Sequence, residues 1–233
     1  MSRFSAKMKT DRISTGLSGL DKLLGGGFPE KTAILVSGGP GTGKTLIGLN
    51  FLLAGAANGE RCCYVSLNEN KNELIRACNG IKTLKKIDEY AGKNLAIESI
   101  TMGKRMTVEH FTRIFTSYPK VDRLVIDNLN KLLIYADSKN EYRIRLSELT
   151  SYLKGKINCT LLICETQDER IDTGNSEAFE ADGVVHLSFL EFEEKPKRTL
   201  EVSKLRYTSF EPRIPHELVI DSQGLRLTKT RIL

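Results

Sequence analysis

The sequence predicts an α/β fold in which a mostly parallel sheet is flanked by helices and continued by antiparallel strands near the C-terminus. Three observations carry the prediction. Apolar, β-branched runs alternate with segments of helical period up to about Asp182, the pattern of strands joined by crossover helices. A glycine-rich turn joins one of these runs to a helical segment, and beyond Asp182 only strand-like pieces follow. At 233 residues the chain has the length for one such core and little room for a second. Residues 1–12 therefore read as a basic tail and residues 13–233 as a single domain.

Strands are predicted at Ala33–Ser37, Cys62–Leu67, Leu95–Ile100, Leu124–Asp127 and Thr160–Glu165. Their near-continuous apolar character suits strands covered on both faces. Thr45–Asn58 reads as a helix stopped by Gly59, since glycine readily takes the left-handed conformation that ends a helix. Val108, Phe111, Phe115 and Tyr118 fall on one helical face ahead of Pro119, and Tyr142, Leu146, Leu149 and Leu153 form the stripe of a third helix over about 140–157; such stripes pack into a core. The last strands are expected at Val184–Phe189, Thr199–Tyr207, Glu217–Ile220 and Leu225–Thr228, with one hairpin turn formed by Glu191–Glu194 with Pro196 and another at Ser222–Gly224.

Hydrophobic residues at 40% and charged residues at 27% are ordinary for a soluble globular protein. The longest apolar run, around Phe51–Ala57, is far too short to cross a bilayer, and Met1–Arg12 lacks the apolar centre of a signal peptide. A cytoplasmic protein with no membrane insertion is expected. The 5 cysteines include the adjacent Cys62 and Cys63 and no C-x-x-C, which fits neither a disulfide framework nor a zinc site and leaves buried thiols. His110, His186 and His216 share no ligand spacing and read as structural. The net charge of +6 admits nucleic acid as a partner. No basic run accompanies it, and 7% aromatic content offers no evident stacking platform.

The strongest local signal is Gly38-Gly39-Pro40-Gly41-Thr42-Gly43-Lys44-Thr45, which fits G-x-x-x-x-G-K-[ST] between an apolar strand and a helix. Glycines let several backbone N–H groups turn toward one phosphate, and the helix adds its positive N-terminal end to the same charge. Lys44 can bridge the terminal phosphates, and the Thr45 hydroxyl can hold Mg²⁺. A second metal anchor is needed from across the site, and Asp127 at the end of Leu124-Val125-Ile126-Asp127 supplies it. ATP and Mg²⁺ are the implied cofactors.

The lead-in Ser14-Thr15-Gly16-Leu17-Ser18-Gly19-Leu20-Asp21-Lys22-Leu23-Leu24-Gly25-Gly26-Gly27, followed by Phe28-Pro29, is similar to the S-T-G-x-x-G-L-D-x-L-L-G-G-G stretch of the RecA and KaiC superfamily. With the phosphate loop, Asp127 and Lys204-Leu205-Arg206, the resemblance spans nearly the whole chain and identifies it with the single-domain KaiC-like P-loop ATPases. It implies a RecA-like core that binds ATP at the boundary between neighbours in a homo-oligomeric ring or filament, a hexamer being one closure of the ring. It implies further that Lys204 and Arg206, matching the family's K-x-R pair, reach the γ-phosphate of the adjacent subunit. Residues two apart on a strand share a face, and Leu200 and Val202 have the parity of Lys204 and Arg206. An undistorted strand would carry both cations on its apolar side, which a bulge or strand end near Ser203 would relieve.

One departure bears on catalysis. In the family the second strand usually ends in two successive glutamates, the first of which polarises the attacking water, whereas here the matching residues are Asn68 and Glu69. An amide can orient water but cannot take its proton. Glu69 can stand in only if the strand has already ended, because consecutive strand residues face opposite ways. Slow turnover is expected. Glu165 and Thr166 match the place of the family's γ-phosphate-sensing polar group. The loop Gln167–Glu180, which faces the ring axis in the superfamily, carries Asp168, Glu169, Asp172, Glu177 and Glu180 against Arg170 and would repel a phosphate backbone. The other candidate axis loop, Tyr135–Tyr142, is mixed in charge. The reading is an ATPase whose nucleotide state governs assembly or partner binding. The alternatives are a RecA/RadA-type recombinase paralogue acting on DNA and a non-hydrolysing ATP-dependent scaffold.

Overall fold

A computed structural model describes residues 11–100, 118, 120–167, 170–192 and 195–231. In chain order the elements are β1 (Arg12–Ile13), α1 (Ser18–Leu23), β2 (Phe28–Pro29), β3 (Thr32–Gly38), α2 (Lys44–Ala57), β4 (Cys62–Ser66), α3 (Lys71–Cys78), a 3₁₀ turn (Leu84–Lys86) and α4 (Ile87–Tyr90). There follow β5 (Leu95–Ser99), β6 (Arg123–Asp127), α5 (Asn130–Ile134), α6 (Lys139–Lys156), β7 (Cys159–Glu165), α7 (Glu177–Glu180), β8 (Gly183–Phe192), β9 (Lys195–Leu205), β10 (His216–Asp221) and β11 (Gly224–Arg231). The expected helix around Val108–Tyr118 lies outside the described residues except for Tyr118, whose hydroxyl donates to Glu98.

The main sheet runs β11-β10-β9-β8-β3-β7-β6-β4-β5. From β8 to β5 the neighbours are parallel, and β9, β10 and β11 add on antiparallel. This is the predicted architecture. β3, β4 and β6 are buried at every position, as strands sandwiched between helical layers must be. One face packs Leu49, Phe51 and Leu52 of α2 against Ile34, Tyr64, Val125 and Ile163. The other packs Tyr142, Leu146, Leu149 and Leu153 of α6 against Leu35, Val65, Leu124 and Leu162, so the predicted α6 stripe is core.

The C-terminal hairpins follow from turn chemistry. The Asp221 carboxylate accepts from the Gln223 and Gly224 amides, the local bonding that lets Asp nucleate a two-residue turn. Pro196 is paired within β9 rather than placed in the turn before it. It is tolerated because β10 pairs with β9 only at Thr199 and Leu200, which leaves that stretch of β9 as an edge.

The lead-in motif is a structural clamp. Asp21 on α1 accepts from Ser14 Oγ, Thr15 N and Thr15 Oγ1 at 2.6–2.7 Å. Beneath it lies Arg123, 1% exposed. Its guanidinium makes a two-pronged pair with Glu60 at 2.7 Å, donates to the Ser14 and Phe51 carbonyls, and stacks 4.8 Å over the Phe51 ring. Gly55 makes room, since a Cβ there would sit 2.5 Å from Arg123 Nε. The five cysteines are free and buried, and burial pushes the Cys62, Cys63 and Cys159 thiols up to about 12, which makes them inert at neutral pH.

Candidate nucleotide site

The C-terminal ends of β3, β4, β6 and β7 border a cavity of about 250 Å³, the edge of a parallel sheet at which ligands bind. Its walls bring together Lys44 and Thr45 from the start of α2, Asn68 and Glu69 after β4, Asp127 at the end of β6 and Glu165 at the end of β7, with Pro40, Gly41, Ser66 and Asn128 between them. Of the predicted cis residues, Pro40, Gly41, Lys44, Thr45, Asn68, Glu69, Asp127 and Glu165 therefore meet in one place, and Gly38, Gly39, Thr42 and Gly43 complete the loop that carries the first four.

Two glycines make the loop's path. Gly43 caps α2 in the left-handed region at φ 101°, and a Cβ on it would lie 2.5 Å from Ile220 Cδ1. Gly38 passes so close to β8 that a Cβ would lie 2.2 Å from the Leu187 carbonyl. Side chains at either position would displace the cradle. Thr42 Oγ1 and Lys44 Nζ both donate to the Gly39 carbonyl, at 2.8 and 2.7 Å. Burial holds the Lys44 ammonium below the usual lysine range, opposed by Glu165 and Asp127.

Thr45 Oγ1 and Tyr64 Oη both donate to Asp127 Oδ2, at 2.7 and 2.6 Å. Burial pushes the Asp127 carboxyl above its ordinary range against these two hydrogen bonds. A hydroxyl and a carboxylate side by side are the hard oxygen donors that Mg²⁺ takes, and Asn128 Oδ1 and Thr166 Oγ1 at the adjoining strand ends are buried without a hydrogen-bond partner. The residues present thus fit a magnesium-bound triphosphate.

β4 ends at Ser66 rather than Leu67. The Glu69 amide donates back to Ser66 Oγ at 2.9 Å, and the turn so formed puts both Asn68 and Glu69 on the cavity wall. The condition for Glu69 to stand in is met. Burial, then the neighbouring Asp127 and Glu73, pushes its carboxyl up. Glu165 is held by Asn130, whose side-chain amide pairs with both the Glu165 N–H and its carbonyl at 2.7 Å.

Lys204 and Arg206 lie elsewhere. β9 pairs Val184 with Lys204 but Val185 with Val202, so Ser203 is an extra residue, a bulge that turns the cations off the apolar face. Lys204 Nζ donates to the Ala178, Phe179 and Ala181 carbonyls at 2.6–3.3 Å, and Arg206 pairs with Asp182 at 3.2 Å. These contacts sit at the N-terminal end of β8, which pairs beside Ile34, whereas the phosphate loop begins at Gly38. Four strand residues separate the two levels, roughly 13 Å, so the pair does not join the cradle of its own chain.

The axis-loop reading needs one correction. Glu177 is 1% exposed and accepts from Tyr142 Oη and Thr173 Oγ1, so it belongs to the core and not to the loop's surface charge. Tyr142 is likewise buried in α6, while Asp168 and Glu169 lie outside the described residues. His186 and His216 are buried, His186 against Ser37 Oγ at 3.0 Å; His110 lies outside the described residues.

Sequence reasoning missed Arg198. It reaches from β9 to the Gly41 carbonyl at 3.2 Å, stacks 5.1 Å over the Phe189 ring, and keeps Nε buried without a partner. Its cross-strand pairing with Phe189 depends on the hairpin register, and no local spacing signals it.

A phosphate loop between strand and helix, a strand-ending acid opposite its threonine and this strand order define a P-loop ATPase of the RecA type. A family model described as "ATPase: KaiC" matches residues 13–231, and the chain belongs to that family. It is 28% identical to a UPF0273 protein of Methanopyrus kandleri, over 97% of this chain and 95% of that one. It is 30% identical to a UPF0273 protein of Thermotoga maritima, over 92% and 94%. The circadian clock protein KaiC3 of Synechocystis is 29% identical over 94% of this chain, which spans 44% of that protein. The crystal structure of a KaiC-like protein from Pyrococcus horikoshii superposes with a TM-score of 0.79 at 27% identity, over 94% of this chain and 99% of that one. No helix among the described residues is long and apolar enough to cross a membrane.

Proposed function

We propose that the chain is a slow ATPase whose nucleotide state governs its assembly into a ring, each site being completed by Lys204 and Arg206 of the partner subunit. The observation that carries the reading is the meeting of Lys44, Thr45, Asp127, Asn68, Glu69 and Glu165 around one cavity while the second cationic pair sits at the opposite end of the same strands. The backbone N–H groups of the phosphate loop and the Lys44 ammonium hold the β- and γ-phosphates. Thr45 and Asp127 would hold Mg²⁺, which when bound neutralises phosphate charge and polarises the γ-phosphoryl group. Asn68 orients the attacking water through its amide, and Glu69, three residues past the strand end, takes the proton less directly than a carboxylate at position 68 would. Exposed Phe179 and Tyr207, 76% and 67% accessible, flank the Lys204–Arg206 pair and give a second copy an apolar surface to cover.

Particle mass and released phosphate, measured together with and without ATP and Mg²⁺, test this. The expected result is a rise in mass on adding ATP and slow phosphate release. A Lys44→Ala subunit mixed with a Lys204→Ala/Arg206→Ala subunit should recover part of the activity, since one kind of interface keeps both halves intact. A folded protein that takes up no purine triphosphate defeats the reading. An active oligomer with no rescue removes the shared site. Assembly with no phosphate release at all would select the scaffold function, which Asn68 favours.

A further inference from the structure

Tyr64 has no role in the chemistry described so far, yet it is 0% exposed and its hydroxyl ends on the metal anchor. In the parallel register Tyr64 on β4 lies opposite Val125 on β6. Asp127 is the next residue along that face, the diagonal neighbour that an aromatic side chain can reach. The phenol covers that gap and donates to Asp127 Oδ2 at 2.6 Å. The ring reaches the site under the first turns of α2, where Gly48 leaves the space. A Cβ at Gly48 would stand 3.5 Å from Tyr64 Cε2 and only 3.0 and 3.2 Å from the Val125 and Ile163 side chains. Filling this slot needs an aromatic ring and no hydroxyl. A hydroxyl buried there is tolerated only because it has an acceptor, and the acceptor is the carboxylate oxygen that Thr45 also binds.

We propose that Tyr64 is a positioning residue of the magnesium site: with Thr45 it fixes the plane of the Asp127 carboxylate from beneath, so that the carboxylate and the threonine hydroxyl face the ion together. The inference rests on the proposed nucleotide site. Groups hydrogen-bonded to a metal-holding side chain raise metal affinity by about 10- to 100-fold, and this one is shielded from competing water.

Tyr64→Phe keeps the ring and removes the bond. Binding of a fluorescent ATP analogue, titrated with Mg²⁺ and repeated in EDTA, reads the effect, with the unfolding midpoint of the nucleotide-free protein as control. The free Mg²⁺ needed for half-maximal binding is expected to rise about 10-fold or more, with affinity in EDTA unchanged. An unchanged Mg²⁺ requirement overturns the inference, and so does an equal loss of affinity with and without Mg²⁺, which marks a packing role. Wild-type protein that binds the analogue with no dependence on Mg²⁺ overturns the metal assignment, and this inference with it, while leaving the phosphate cradle standing. No binding by wild type at all is instead the failure of the proposed nucleotide site.

Discussion

At the N-terminal ends of the parallel strands the charges are matched: Arg123 meets Glu60, Asp182 meets Lys154 and Arg206, and Asp122 meets Lys120. At the C-terminal ends Lys44 directs its ammonium at the Gly39 carbonyl, Arg198 leans on the Gly41 carbonyl with a buried Nε unpaired, and burial pushes the Glu69 and Asp127 carboxyls up, with Asp127 adding to the shift of Glu69 and Glu165 to that of Asp127. Satisfied charge fastens the fold, whereas unsatisfied charge stores an affinity that a bound polyanion and its counter-ion can discharge. The same sheet supplies both, and the direction of its strands decides which end does which.

The largest expected effect comes from adding charge at the unsatisfied end. Asn68→Glu places a carboxylate where the amide now orients water, and general-base assistance is worth about 10²- to 10⁴-fold in rate. Steady-state phosphate release should rise into that range with little change in nucleotide affinity. A wild type that already turns over fast, and that the glutamate fails to accelerate, would show that Glu69 does the whole job from its loop.

Removing charge at the satisfied end should instead cost stability. Arg123→Ala strands Glu60 and empties a buried slot, a loss of about 3–5 kcal/mol from a total stability of order 5–15 kcal/mol. Denaturant melts should register it, and nucleotide affinity of the folded fraction should stay put. Pairing Arg123→Met with Glu60→Leu removes both charges and is expected to recover most of the loss. A double variant as unstable as the single one would mean that the carbonyl bonds to Ser14 and Phe51, not the ion pair, hold this corner together.

Legibility in the sequence followed how far apart the interacting residues are. The phosphate loop, the strand runs and Asp127 were readable because each is a contiguous pattern with its own physical signature. Arg123, Arg198 and Tyr64 were not, because their partners Glu60, Gly41 and Asp127 stand 63, 157 and 63 residues away and only strand register joins them. Two single-residue details mattered more than any motif. The β9 bulge at Ser203 settles the awkward parity of Lys204 and Arg206, and the end of β4 at Ser66 admits Glu69 to the cavity. Neither a bulge nor a strand end one residue early leaves a mark in a window of apolar residues. Glu177 reads as surface charge in the sequence for the same reason, since its partner Tyr142 is 35 residues upstream.

The smallest effect sharpens the comparison through pH. The Glu69 carboxyl is raised in the folded state by burial and by Asp127 and Glu73, so its charged form is the disfavoured one. A carboxyl raised above its unfolded value favours folding while it is protonated, and that contribution is lost as pH climbs through the folded value. Glu69→Gln should therefore make the nucleotide-free protein modestly more stable at neutral pH, and the gain should vanish below the ordinary glutamate range, where both carry a neutral side chain. The side chain is partly open to solvent, which screens the effect and keeps it small. Unfolding midpoints of the two proteins across that pH range decide it. A gain that persists into acid would assign the benefit to the amide's hydrogen bonds, and a loss at neutral pH would mean that Glu69 has a cationic partner and belongs with the matched charges at the other end of the sheet.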